Sequence, residues 1–117
     1  MAHTSELPAG VTLRPLTAAD ADALAPLNDA ASPAVPVTPA ADLARLIDIA
    51  ALPLGLERDG TLVGFVIALA PGADYASENY AFFSARAVPS LYVDRIVIAE
   101  SERGNRLGQA LYDAVFA

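Results

Sequence analysis

Apolar and polar positions change period several times along the chain, and each change marks an element. Val11-Thr12-Leu13-Arg14-Pro15-Leu16 alternates and is closed by Pro15, which predicts a short strand near a sheet edge. Residues 1–10 show no such pattern and read as a tail. Thr17, with Asp20 three residues later, predicts a helix start in an acidic variant of the capping box. Leu24, Leu27 and Ala31 follow at inward-facing helical spacing, and Pro26 should kink or divide that helix. Beyond the Pro-spaced connector Ser32 to Val37, Thr38 as cap and Pro39 as first residue predict a second helix. Its apolar stripe is Leu43, Leu46, Ile47 and Ala50, and Leu52-Pro53 ends it.

A hairpin comes next. Leu54 to Arg58 and Thr61 to Leu69 flank Asp59-Gly60, a type I′ turn signal. The second strand carries few polar residues, so both its faces should be covered, and Gly64 within it suggests a bulge or a close backbone approach. Pro71 to Ser90 is a long connection carrying Tyr75, Tyr80, Phe82 and Phe83. A short helix around Glu78 to Ser84 is expected there, with the rings either folding over a pocket or simply covering the sheet. Leu91 to Ala99 reads as a core strand, because Val93, Ile96, Val97 and Ile98 are mostly β-branched. Glu100 to Glu102 break the run. From Leu107 on, Leu107, Ala110, Leu111, Ala114 and Val115 recur at spacings of three and four, which is helical. The predicted order is β-α-α-β-β-β-α, an α/β (α+β) domain with a mixed, mostly antiparallel sheet flanked by helices.

The last strand runs into the last helix through Arg103-Gly104-Asn105-Arg106-Leu107-Gly108, and this corner carries chemistry. The first N–H groups of a helix have no partners, and the helix dipole favours negative charge there. Gly104 and Gly108 let a phosphate approach the main chain closely. If Arg106 already lies in the first helical turn, it needs no positive φ and its charge is available to a phosphate.

Composition sharpens this reading. The 117 residues suffice for one domain with a modest core, and much of the 55% hydrophobic content is alanine, which buries little area. A net charge of −7 argues against nucleic acid or an anionic membrane as partner. An acidic protein that binds an anion needs a local basic spot, and Arg95, Arg103 and Arg106, three of only seven basic residues, are expected to cluster at the loop. There is no cysteine, and His3 is the only histidine, so thiolate chemistry, a His-based triad and a zinc site are excluded and no metal is expected. The N-terminus lacks the layout of a signal peptide, and the longest apolar run, Leu62 to Ala70, is too short to span a bilayer. A cytoplasmic protein is expected.

Arg103 to Gly108 resembles the signature Gln/Arg-x-x-Gly-x-Gly/Ala of the GNAT superfamily of acyl-CoA-dependent N-acetyltransferases, with Arg103 first, Gly108 last and Arg106 where the family usually has Gly. The resemblance implies that residues 91–117 form an acetyl-CoA-binding strand, loop and helix. Main-chain groups of Arg103, Gly104, Asn105, Arg106, Leu107 and Gly108 would take the pyrophosphate. Ile96, Val97 and Ile98 would pair with the pantetheine arm and supply a backbone donor to the thioester oxygen. Strand periodicity puts Tyr92, Asp94, Ile96 and Ile98 on one face and Arg95 on the other. Asp94, the carboxylate inside an otherwise apolar strand, is the candidate general base, with a structural ion pair or a solvated strand end as its alternative. Tyr92 is the candidate for orienting water or substrate. Asn28, Asn79, Tyr80 and Phe83 are candidates for lining the acceptor pocket.

The element order matches that fold from its first strand through its third helix, and the family continues into further strands. Residues 1–117 are therefore expected to be a single domain lacking its C-terminal strands and the family's usual general acid. The open edge of strand 91–99 would then invite a second copy or a completing chain. Three readings follow: an N-acetyltransferase moving an acetyl group from acetyl-CoA to a small-molecule amine or peptide N-terminus, a non-catalytic acyl-CoA-binding or protein-interaction module, and a generic domain whose loop holds a phosphate or nothing.

Overall fold

The computed structural model describes residues 7–71, 91–104 and 106–116. The elements run β1 (Val11–Pro15), a 3-10 turn (Ala18–Asp20), α1 (Ala21–Asp29), α2 (Ala40–Ile49), β2 (Leu52–Arg58), β3 (Thr61–Leu69), β4 (Tyr92–Ile98), a second 3-10 turn (Glu100–Glu102) and α3 (Leu107–Phe116). The four strands form one antiparallel sheet in the order β1-β2-β3-β4. This is the predicted α/β order. β1 is an edge strand, as its closing proline requires.

The sheet is covered on both faces. On one, Leu24 of α1 and Leu43, Leu46 and Ile47 of α2 pack on Phe65, Ile67, Leu69 and Val97. On the other, Leu107, Leu111 and Val115 of α3 pack on Leu56, Val63, Val66 and Ala68. β3 is buried from Val63 to Leu69, which is why its sequence is almost uniformly apolar. Asp59 and Gly60 turn the hairpin with φ of 52° and 82°. Gly64 sits where a Cβ would lie 2.8 Å from Ile98 Cδ1 and 3.1 Å from the Val97 carbonyl oxygen, so β4 comes as close as the glycine allows.

Three local expectations are corrected, and a fourth, for Pro26, in its alternative of a divided helix. The tail is shorter than ten residues: Leu7 packs on the α3 side of the core, and the Ala9 carbonyl accepts from Arg58 Nη1 at 3.2 Å. Pro26 lies inside α1 without dividing it; the break falls earlier, where the Thr17 N–H donates to Asp20 Oδ2 at 2.8 Å and a 3-10 turn precedes the helix. Asp20 also takes both arms of the Arg14 guanidinium, which holds its carboxyl below the usual carboxylate range. Thr38 does not cap α2; its hydroxyl donates to the Pro36 carbonyl at 2.9 Å instead. Leu52 and Pro53 belong to β2 rather than ending the helix, and the Pro53 carbonyl accepts from the Leu16 N–H at 2.9 Å.

Candidate functional site

β4 carries a bulge, and the bulge rearranges the predicted faces. Arg95 pairs with Ile67 and Val93 with the next residue, Ala68, leaving Asp94 as the extra residue. Such an insertion puts neighbouring side chains on one face. Asp94 and Arg95 therefore meet: Arg95 Nε donates to Asp94 Oδ2 at 2.8 Å, with both side chains 7% exposed. Arg95 Nη1 reaches Asn28 Oδ1 and Thr38 Oγ1, each at 2.9 Å. Asn28 Nδ2 in turn donates to the Pro36 carbonyl and to Asp29 Oδ1, and Asp29 Oδ1 also takes the Thr38 N–H. This polar network ties the end of α1 and the connector after it to the bulge.

Arg95 thus stands on the α1–α2 face and does not join Arg103 and Arg106 at the loop. Tyr92 packs with the same α1–α2 core, whereas Ile98 and Val93 pack with the α3 core, so Tyr92, Asp94, Ile96 and Ile98 do not share a face. The burial of Asn28 has a simple reason. The residue falls four residues after Leu24 on the buried stripe of α1, is fully buried, and a polar group there must find partners.

The main chain of β4 supplies a second feature. The Ala99 N–H donates to the Val63 carbonyl at 2.8 Å. Antiparallel pairs alternate, so Val97 turns its main chain toward β3, while Ile96 and Ile98 turn theirs to the other side of β4, where no strand lies among the described residues. Of the three strand positions predicted to pair with a ligand, Ile96 and Ile98 are the two with suitable direction.

At the end of β4 the chain makes the 3-10 turn Glu100–Glu102 and enters α3 with the Ala110 N–H donating to the Arg106 carbonyl at 3.1 Å. Arg106 is therefore the residue before the first helical turn, and it has φ of 59°, in the left-handed region. This corrects the expectation that it needs no positive φ; the position where the family usually has glycine is left-handed in this chain. We expect Arg106→Gly to raise folding stability by about 1 kcal/mol or somewhat less, the relieved strain being partly offset by a more flexible unfolded chain. A rise in urea midpoint with an unchanged slope would register it.

Ile98, Glu102, Arg103, Gly104, Arg106, Leu107 and Gly108 line a pocket of about 380 Å³ at the start of α3. A neighbouring pocket of about 360 Å³ shares Ile98 and Arg103 and runs along Pro26, Leu27 and Ala30 of α1. Together they make a groove that starts at a helix N-terminus flanked by two arginines and continues past the end of β4 along an apolar wall. Gly104 has φ of 91°, with no atom near its missing side chain. Exposed N–H groups, a helix dipole and guanidinium groups form a donor set that fits a diphosphate. Asn105 lies outside the described residues, as do Asn79, Tyr80, Phe83 and the helix expected around them. Sequence reasoning missed one partner: Glu102, whose carboxylate takes Arg58 Nε and Nη2, each at 2.9 Å, across 44 positions of chain. No local signal marks that pair.

Several solved structures resemble this chain in fold. A ribosomal-protein-alanine N-acetyltransferase from Brucella melitensis biovar Abortus 2308 is 29% identical, with a TM-score of 0.66 over 91% of this chain and 69% of that one. Two further structures share the fold at lower identity. A diaminobutyrate acetyltransferase from Paenibacillus lautus, solved with L-2,4-diaminobutyric acid and coenzyme A, is 19% identical, with a TM-score of 0.64 over 91% of this chain and 56% of that one. A GNAT-like decarboxylase, GphF, in complex with isobutyryl-CoA is 22% identical, with a TM-score of 0.69 over 89% of this chain and 56% of that one. The chain thus spans between just over half and about two thirds of these relatives. No curated protein matches it. The family model described as the acetyltransferase (GNAT) family matches residues 22–117, and the chain belongs to that family.

Proposed function

We propose that the chain is the acetyl-CoA-binding part of an N-acetyltransferase that moves an acetyl group to a primary amine. The observation that carries the reading is the groove itself: an arginine-flanked helix N-terminus that continues past the end of β4, whose outer side carries the main-chain groups of Ile96 and Ile98. In this reading Arg103, Gly104, Asn105, Arg106, Leu107 and Gly108 hold the pyrophosphate, and the outward groups of Ile96 and Ile98 pair with the pantetheine arm. The Ile96 or Ile98 N–H then stands ready for the negative charge that develops on the thioester oxygen.

The bound substrate supplies an activated acyl group. The amine nitrogen attacks its carbonyl carbon, a C–N bond forms, the amine gives up a proton, and the C–S bond breaks to release CoA as a thiolate, which takes up one proton, so that the net transfer is from amine to sulfur. Asp94 is the proposed acceptor of that proton, directly or through water, and Tyr92 the proposed orienting group. The pairing of Asp94 with Arg95 supports a structural part for it as well. Asp94→Asn separates the two: a base loses rate at unchanged acetyl-CoA affinity, whereas a structural partner loses melting temperature. For the acceptor, the ribosomal-protein-alanine relative supports a peptide N-terminus and the diaminobutyrate relative a small amine. Asn28 now reads as a support of the pocket wall rather than a contact, since both ends of its amide are engaged.

Calorimetric titration with acetyl-CoA, followed by thiol release against a panel of amines and N-terminal peptides, tests the reading. Binding with amine-dependent release is expected. Binding without release would favour the acyl-CoA-binding module, and no binding would overturn both. Among the described residues no helix is long and apolar enough to cross a membrane.

A further inference from the structure

An acidic residue lines the pocket that is proposed to take a diphosphate, and this needs an explanation. Glu102 is only 7% exposed and shares the pocket wall with Arg103, Gly104, Arg106 and Gly108. An unpaired negative charge there would repel a phosphate ligand, the more so because burial removes the water that would screen it. The structure gives Glu102 a full counter-charge from a distant element. Arg58, the last residue of β2, presents Nε to Oε2 and Nη2 to Oε1, each at 2.9 Å, in the parallel two-bond geometry that suits guanidinium and carboxylate. Its third nitrogen, Nη1, donates to the Ala9 carbonyl, so the fork is fixed from behind. Arg58 itself is not among the residues lining the pocket.

We propose that Arg58 is a positioning residue for the cofactor loop, acting through Glu102: it engages both oxygens of the one acidic residue that lines this pocket among the described residues and so cancels its charge. The inference rests on the acyl-CoA reading above and adds to it a determinant outside the loop. Charge cancellation and mere scaffolding make opposite demands on the two halves of the clamp. A scaffold weakens whichever half is removed. A charge mask weakens binding when the arginine goes, and strengthens it when the carboxylate goes.

The test is acetyl-CoA affinity, by calorimetry at low salt, for the unaltered chain and for Arg58→Met, Glu102→Gln and the double variant Arg58→Met/Glu102→Met. Arg58→Met is expected to weaken binding by about tenfold or more, and the deficit should shrink as salt screens the exposed carboxylate. Glu102→Gln, which keeps the shape of the clamp, is expected to tighten binding a few-fold, and the double variant to recover most of what Arg58→Met loses. Glu102→Gln decides the sign by itself, even if Arg58→Met lowers the yield of folded chain. Weaker binding in Glu102→Gln, or a double variant no better than Arg58→Met, overturns the inference while leaving the cofactor reading intact. An unaltered chain that takes no acetyl-CoA overturns both.

Discussion

Replacing Arg95 with methionine is expected to destabilise the fold by about 3–5 kcal/mol, the scale for removing one partner of a buried ion pair. Methionine roughly matches the length of the stem, so little cavity opens and the loss is polar in origin. Asp94 keeps a carboxylate with a 7% exposed side chain and loses its guanidinium. Asn28, fully buried, and Thr38 lose the donor that ties them to β4. A domain of this size has about 5–15 kcal/mol of stability in all, so the variant should melt near or below working temperature. Urea denaturation should show the midpoint collapse. Arg95→Lys is expected to fall between, since a single ammonium cannot serve Asp94, Asn28 and Thr38 in the geometry of a planar fork. The instructive control is Arg95→Met with Asp94→Leu, because removing both charges often recovers much of such a loss. Recovery would assign the effect to the charge pair. An equal loss in the double variant would assign it to the tie with Asn28 and Thr38.

That network also shows where sequence legibility ends. The elements were readable because each writes its own period: the stripe Leu43, Leu46, Ile47 for α2, the Asp59-Gly60 turn, the uniform apolar run of β3. The loop proposed to hold a diphosphate stood out because its candidate residues are consecutive. The bulge was not. Tyr92 to Ile98 can be counted in either phase, and only the partner strand reveals that Asp94 is extra. The pair of adjacent charged residues inside an apolar strand is a weak clue at best, since on a regular strand they point to opposite covered faces and can meet only where the alternation breaks. The left-handed φ of Arg106 was hidden by its own side chain, since a strained arginine and a helical one are the same letter. The pairing of Arg58 with Glu102 was beyond reach, because it depends on how the hairpin packs against a loop 44 residues away.

Gly108→Glu is expected to abolish acetyl-CoA binding, a loss of at least about 100-fold, while leaving the fold as stable as before or more so. The two halves of that expectation come from one feature. Gly108 is the second residue of α3, where N–H groups point outward without helical partners. A carboxylate in the first turn interacts favourably with those groups and with the dipole, by about 0.3–1 kcal/mol, and replacing glycine within a helix adds up to about 1 kcal/mol. There is room for the side chain, because a Cβ at this position meets only Ile98 Cγ1 at 3.9 Å. The stabilising interaction is also what blocks the ligand: the introduced carboxylate takes the place and the partners of the phosphate, and its charge repels what remains. Gly108→Ala separates bulk from charge, since it should gain helix stability while sparing most of the affinity. Thermal melting with and without acetyl-CoA reads both effects. Ligand at about 100 times its Kd should stabilise the unaltered chain by about 2.7 kcal/mol and Gly108→Glu by nothing. A Gly108→Glu chain that still binds would place the phosphates away from the start of α3. The groove would then lose its anchor, and with it the argument that Ile96 and Ile98 face the thioester.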